Sequence, residues 1–185
     1  MKTAETGRLI YVMGPSGAGK DSLLGFARQR IGAHVMFAHR YITRPVADSE
    51  NHIALTGEEF ATRLKNGLFS LHWESHELRY GIGIEIDAWL ERGMCVVVNG
   101  SRQHVGHALE RYPQVRLIHI DAKPAVLAAR LALRGREGAA QIEARLARRP
   151  GFLVPEGAGL VTIDNSGLLD DAGQRLLEVI GQGAG

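Results

Sequence analysis

Three glycines and a lysine fall within the run Gly14-Pro15-Ser16-Gly17-Ala18-Gly19-Lys20, followed by Asp21 and Ser22. Glycines at this spacing let successive backbone N–H groups curl around an anion. A lysine at the end of such a loop reaches the β- and γ-phosphates of a nucleotide as a compact charge. The pattern carries meaning only between a strand and a helix, and both flanks qualify. The apolar run Leu9-Ile10-Tyr11-Val12-Met13 precedes it, and Ser22 to Arg28 follows with helical periodicity. That helix adds its positive end to the site. The expected ligand is a nucleoside triphosphate, with Gly14 to Ser22 as its binding residues and Lys20 also acting in catalysis.

The residue after the lysine is unusual. A serine or threonine ligating Mg²⁺ is the common choice there; this chain has Asp21. A carboxylate is a harder ligand for Mg²⁺ than a hydroxyl, and beside a polyphosphate it needs a cation in between. One reading is an altered metal site with Asp21 as a ligand. The other is that Asp21 caps the first turn of the helix. The metal reading is preferred, because such loops bind phosphate together with Mg²⁺.

Arginines form two further groups. One lies in the segment from His39 to His52 and includes Arg40 and Arg44. The other comprises Arg130, Arg134, Arg136, Arg145, Arg148 and Arg149. Phosphoryl transfer asks for positioning and charge stabilisation rather than covalent help, and guanidinium forks match phosphate oxygens. Two arginine groups beside a phosphate loop suggest an acceptor that is itself phosphorylated. Such an acceptor is ionised near neutral pH and needs no general base. Arg134 and Arg136, around Gly135, read as functional; Arg148 and Arg149 read as a solvated helix face.

The elements that must position these groups alternate along the chain. Strand-like runs recur at 9–13, 94–98, 115–120 and 160–163, with a weaker one near 34–38. Helical patterns lie at about 20–31, 101–111, 123–133, 139–148 and 168–181. This alternation predicts an α/β domain with a parallel sheet flanked by helices on both faces. A stretch at 39–92 breaks the rhythm and reads as an inserted acceptor-binding subdomain, with a helix near 57–66 and strands near 69–73 and 78–82. Phe60, Trp73 and Trp89 are its expected small core, and Glu85 and Asp87 an expected helix start. A small arginine-rich lid is expected at 134–149, leaving a core of 1–38, 93–133 and 150–185 in one 185-residue domain.

Composition sets the outer bounds. Hydrophobic residues make up 45% and charged residues 23%, and the net charge is +2. That balance suits a soluble globular domain and gives no sign of nucleic-acid binding. Cys95 is the one cysteine and sits in an apolar run, so a buried strand thiol is expected. Neither a secretory leader nor a membrane span is expected, and the expected location is the cytoplasm. His72 with His76, and His104 with His107, lack the further ligands of a zinc site and are discounted.

Over nearly its whole length the chain resembles the guanylate kinase branch of the P-loop nucleotide kinases. The matching pieces are the glycine loop, Ile42-Thr43-Arg44-Pro45, Arg79-Tyr80-Gly81, and Arg130 to Gly135 with Arg145 beyond. The resemblance implies a P-loop NTPase fold, ATP as phosphoryl donor and Mg²⁺. It implies that Arg44 and Tyr80 hold the acceptor phosphate, while Arg130, Arg134 and Arg145 close over the transferring group. The base site does not carry over: Arg40 stands where a serine reads guanine, Leu71 where a glutamate does. The strand end Val98-Asn99-Gly100-Ser101 has no acid. Without acceptors, guanine's buried donors cost about 1–3 kcal/mol each.

A narrower resemblance fits better. Gly14 to Leu24, Ala38 to Arg44, Ser49 to Leu55, Tyr80 to Asp87 and Val98 to Arg102 together are similar to the ribose 1,5-bisphosphate phosphokinases of phosphonate breakdown. The resemblance implies transfer of the ATP γ-phosphoryl to the 1-phosphate of a bisphosphorylated sugar. The expected acceptor residues are Arg44 and Tyr80 at the 1-phosphate, Arg40, His52 or Arg102 at the 5-phosphate, and Glu50 and Asn51 at ribose hydroxyls. Gly81 and Asn99 belong to the same matched blocks. Asp21 is then expected to supply the metal-site acid that the strand end lacks. The alternatives are a guanylate-type nucleoside monophosphate kinase and a non-catalytic interaction module of the same fold.

Overall fold

Residues on a strand alternate between faces, and the strand before the glycine loop buries both. Leu9, Tyr11 and Met13 pack into one cluster, Ile10 and Val12 into another. The computed structural model describes residues 7–45, 51–133, 135, 138–147, 154 and 159–182, with the Arg145 side chain outside that description. Glu50, Arg134, Arg136, Arg148 and Arg149 also lie outside the described residues.

The chain runs β1 (Arg8–Met13), α1 (Lys20–Arg30), β2 (Val35–Phe37), β3 (Arg40–Ile42), β4 (His52–Ala54), α2 (Gly57–Lys65), β5 (Phe69–Ser75), β6 (Leu78–Gly83) and α3 (Glu85–Glu91). It continues through β7 (Cys95–Asn99), a 3-10 turn (Arg102–His104), α4 (Val105–Arg111), β8 (Arg116–Asp121), α5 (Pro124–Leu133), α6 (Ala139–Ala147), β9 (Leu160–Asp164) and α7 (Leu169–Gly181). The helical pattern expected at 101–111 is thus split between a 3-10 turn and α4.

The main sheet has the order β2-β7-β1-β8-β9, and its four pairings are parallel. All its carboxyl ends therefore open on one edge, where open α/β sheets bind ligands. One face is covered by Leu23 and Ala27 of α1, Leu127 of α5, and Ala172, Leu176, Val179 and Ile180 of α7. The other is covered by Ile86 of α3 and Val105 and Ala108 of α4. Each large apolar side chain so buried contributes about 1.5–3 kcal/mol. Cys95 is a buried free thiol on β7, as its apolar run predicts. Among the described residues no helix is long and apolar enough to cross a membrane.

Between β2 and β7 the chain builds a second sheet of order β4-β3-β6-β5. β3 and β4 are each only three residues, and the sequence patterns do not reveal them. A capping box starts α2: the Thr56 hydroxyl accepts from Glu59 N and the Glu59 carboxylate from Thr56 N. The β5–β6 turn places His76 and Glu77 at φ 50° and 60°, the left-handed pair that a two-residue hairpin requires. The aromatic residues divide differently from expectation. Phe60 does form a small core with Leu55 and Phe69. Trp73 instead joins the main-sheet cluster, and Trp89 packs against that same cluster. Leu71, Trp73 and Ile82 of the second sheet thus share a core with the main sheet.

Asp87, in the first turn of α3 as expected, bolts the insertion to the core. Its carboxylate accepts from Ser70 of β5 at 3.0 Å, Arg111 of α4 at 2.8 Å and the Tyr112 hydroxyl at 2.5 Å. Burial alone pushes this carboxyl up; the three donors outweigh it and hold it below its ordinary value of 3.8. A depressed native value stabilises the fold above the unfolded value and fades as pH falls through the native one. Asp87→Asn is therefore expected to cost about 1 kcal/mol at pH 7. In urea titrations the gap to the parent should narrow below about pH 4. A gap independent of pH would show that the charge contributes nothing.

Candidate active site

The glycine loop crosses from β1 to α1 at the carboxyl edge of the sheet. Gly17 and Gly19 take φ 86° and 83°, the left-handed region where a side chain is strained. Gly14 has another constraint: a Cβ there would sit 2.1 Å from the Ile120 carbonyl oxygen. Lys20 Nζ donates to the carbonyls of Gly14 at 2.9 Å and Pro15 at 3.2 Å, so the ammonium is held across the mouth of the loop. Ser16 and Ser22 are exposed.

The loop is braced from behind by a residue that the sequence reading did not select. Asn165, at 2% exposure, follows β9 and donates from Nδ2 to Ala18 O at 2.7 Å. Its own backbone N–H donates to Asp121 O at 2.8 Å. Arg130 of α5 donates to Asn165 O at 2.8 Å and reaches Gly17 O and Ala18 O at 3.4 and 3.5 Å. In this arrangement the Arg130 guanidinium buttresses the loop. The signal available in sequence was a polar Asn-Ser-Gly run directly after an apolar strand, at the sheet edge where ligands gather.

In front of the loop lies a cleft lined by Asp21, Arg28, Phe37, Ala38, Arg40, Asn51 and Asn99. It joins four predicted residues, Asp21, Arg40, Asn51 and Asn99, and adds Arg28. Asp21 Oδ1 accepts from Arg40 Nη2 at 3.1 Å and from Asn99 Nδ2 at 2.9 Å. The Arg40 and Asp21 side chains are 13% and 27% exposed. Gly19 is the N-cap of α1 and no side chain caps it, so Asp21 is not the cap. It lies in the first turn, where a carboxylate suits the helix dipole. Asn99 is itself buried, and its Oδ1 has no hydrogen-bond partner among the described residues. Asn51 donates to Ala38 O at 3.5 Å, and its carbonyl accepts from Arg40 N at 3.2 Å.

The turn carrying Asn99 and Arg102 is fixed by Tyr11. The buried Tyr11 hydroxyl donates to Ser101 O at 2.9 Å and accepts from Ser101 N at 2.8 Å. Burial pushes this phenol up, more than the hydrogen bond to Ser101 lowers it. Gly100 N donates to Val12 O at 2.8 Å, which pins the turn to β1.

The remaining candidates lie on the insertion. Tyr80 stacks on Trp73 with centroids 5.4 Å apart and planes 2° apart; His104 lies on the same indole at 6.3 Å. That stack fixes the direction of the phenol. A Cβ at Gly81 would lie 2.5 Å from the Phe69 ring. His52 is buried beside Arg40 in the β3–β4 register, its Nε2 3.2 Å from Pro45 O. That contact ties β4 to the turn just after Arg44. Thr43 accepts from Arg79 N at 2.9 Å, which anchors the same turn to β6. Arg102 opens the 3-10 turn after β7. Arg145 belongs to α6.

This arrangement can hold a polyphosphate in the loop and a second anion beside Arg40. Among the described residues no three His, Cys, Asp or Glu side chains gather to hold a metal ion alone. A hard cation here would share its ligands with the polyphosphate, as Mg²⁺ does. The donors present fit it: a carboxylate at Asp21 and the unpartnered amide oxygen of Asn99 beside it.

No protein-family model matches the chain. It is 59% identical over 174 residues to the ribose 1,5-bisphosphate phosphokinase PhnN of Burkholderia pseudomallei, covering 94% of this chain and 95% of that one. It is 52% identical over 177 residues to the PhnN of Thiobacillus denitrificans, covering 94% and 93%. Its fold is similar to that of guanylate kinase from Anaplasma phagocytophilum, with a TM-score of 0.67, 17% identity, and 96% and 86% of the two chains covered. The fold is thus the P-loop NTPase fold that the glycine loop and the parallel sheet predict. Two relatives matched over 94% of this chain, each identical at more than half of the aligned positions, settle the kinship, and the chain belongs to the ribose 1,5-bisphosphate phosphokinase PhnN family.

Proposed function

We infer that the protein transfers the γ-phosphoryl group of ATP to the 1-phosphate of ribose 1,5-bisphosphate. An oxygen of the 1-phosphate bonds to Pγ while the bond from Pγ to the β,γ-bridging oxygen breaks. The products are 5-phospho-α-D-ribose 1-diphosphate and ADP. The observation that carries this reading is the cationic cleft in front of the loop, where Arg40 stands within 3.1 Å of Asp21. An arginine there suits an anion and offers nothing to guanine's ring donors, which need acceptors.

In this scheme the backbone N–H groups from Ser16 to Lys20 cradle the donor phosphates and Lys20 turns from its loop carbonyls to the γ-phosphoryl. Arg130 and Asn165 keep the loop in shape, and Arg134, Arg136 and Arg145 supply charge to the transferring group. Arg44 and Tyr80 hold the 1-phosphate. Arg40, with His52 and Arg102, serves the 5-phosphate; Glu50 and Asn51 serve the ribose hydroxyls, with Gly81 and Asn99 shaping the pocket. Asp21 would hold Mg²⁺ bound with the nucleotide, and that cation would offset charge on the donor phosphates. The ionised acceptor needs no base.

The test is a Mg²⁺–ATP assay offering ribose 1,5-bisphosphate and GMP in parallel. The expected result is ADP formation with the bisphosphate and none above background with GMP. Turnover of GMP alone would overturn the reading of Arg40 and favour the nucleotide kinase. Turnover of neither, with ATP still binding, would favour another acceptor; no ATP binding would favour an interaction module.

A further inference from the structure

One oxygen of Asp21 sits at the junction of two sites. Asp21 directly follows Lys20 in the first turn of the donor helix. Arg40 belongs to β3 of the insertion. They meet at 3.1 Å in a half-buried cleft, with Asn99 donating to the same Oδ1 at 2.9 Å. The scheme above, on which this inference rests, asks both partners to leave. Asp21 has to face a cation between itself and the donor phosphates; Arg40 has to face an acceptor phosphate. Neither can do so fully while they hold each other.

We propose that the Arg40–Asp21 ion pair couples the two substrates: donor binding with its cation draws Asp21 off Arg40 and so readies Arg40 for the acceptor. The pair acts as an internal competitor for each site. While Arg40 holds Asp21, the carboxylate is a weaker cation ligand. While Asp21 holds Arg40, the guanidinium is a weaker anion receptor. Coupling of this kind is reciprocal, so the acceptor must strengthen cation-nucleotide binding by the same factor. Asn99 keeps Asp21 from swinging away during the exchange, because its amide can stay bonded to Oδ1 in either state. A partly exposed pair predicts modest coupling, about three- to tenfold.

The first arm needs no acceptor. Binding of ADP is measured while Mg²⁺ is titrated, for the parent, Arg40→Gln, Asp21→Asn and the double variant. Arg40→Gln is expected to lower the half-saturating Mg²⁺ concentration about three- to tenfold. The same change made on Asp21→Asn is expected to have no effect, which separates the pair from the general field of a cation. An unchanged Mg²⁺ requirement in Arg40→Gln, or an equal shift in both backgrounds, overturns the proposal.

The second arm measures binding of ribose 1,5-bisphosphate with and without Mg²⁺ and a non-hydrolysable ATP analogue. The analogue should tighten binding about three- to tenfold in the parent and not in Asp21→Asn. Binding that is equally tight in both conditions in the parent overturns the coupling while leaving the acceptor intact. No binding of the bisphosphate in either condition overturns the functional reading, and the first arm still decides whether Arg40 restrains Asp21.

Discussion

Lys20→Met is expected to lower kcat by about 10²–10³-fold, the usual cost of losing one preorganised donor to a charge that grows in the transition state. The side chains are of similar length, so the loop keeps its packing and loses the charge together with the two hydrogen bonds that Nζ donates to the loop carbonyls. Lys20 Nζ is already directed across the loop by the Gly14 and Pro15 carbonyls, at 2.9 and 3.2 Å. ADP affinity should change much less than kcat, because the backbone N–H groups and the helix end remain. Turnover with both substrates saturating, paired with a thermal melt, checks this. A kcat within threefold of the parent would mean that the transferring charge is stabilised elsewhere, with the lid arginines as the first suspects.

Gly100→Ala is expected to cost about 3 kcal/mol or more, at the upper end for overpacking. The added Cβ would lie 1.9 Å from Tyr11 Cζ and 2.3 Å from its Oη. Neither side can give way cheaply. Tyr11 is 1% exposed and holds Ser101 through both backbone groups, while Gly100 N is bonded to Val12 O. A loss of this size lowers Tm by roughly 6–12 °C in a domain of this length. The same strain displaces Asn99 and Arg102, so KM for the acceptor should rise more than KM for ATP. Tyr11→Leu combined with Gly100→Ala should cost less than the two single changes added together. An additive double variant would show that the clash is relieved by backbone movement instead.

The main sheet was legible in sequence because its strands carry unbroken apolar runs: 9–13, 94–98 and 115–120 became β1, β7 and β8 with ends shifted by a residue. β3 and β4 were not, since Arg40-Tyr41-Ile42 and His52-Ile53-Ala54 are too short to show a period. Aromatic content suggested a small core of Phe60, Trp73 and Trp89 for the insertion, and of the three only Phe60 forms one there. Such content could not say that Trp73 and Trp89 belong to the core shared with the main sheet, which depends on how the sheets stack. At the site, the missing strand-end acid and the extra acid at Asp21 were both visible. Their contact, across 78 residues of chain at 2.9 Å, emerges only when β7 pairs with β1. The Asn-Ser-Gly run marked the place of Asn165 but not its role, because its partner Ala18 is 147 residues away.

The insertion leaves the main sheet after β2 and returns to it at β7, and these two strands are hydrogen-bonded neighbours, Val35 opposite Cys95. Its entrance and exit are therefore on neighbouring strands but at opposite edges of the sheet: the chain leaves at the carboxyl end of β2 and returns at the amino end of β7, which also pairs with β1. Yet Leu71, Trp73, Ile82 and Ile86 of the excursion pack with Leu9, Tyr11 and Met13 of the strand that leads into the glycine loop. Exchanging the excursion between relatives would therefore need a repacked face of the nucleotide half as well as two splice points. The fold ties the recipient of the phosphoryl group to its source through one shared interior, so the two specificities are expected to change together.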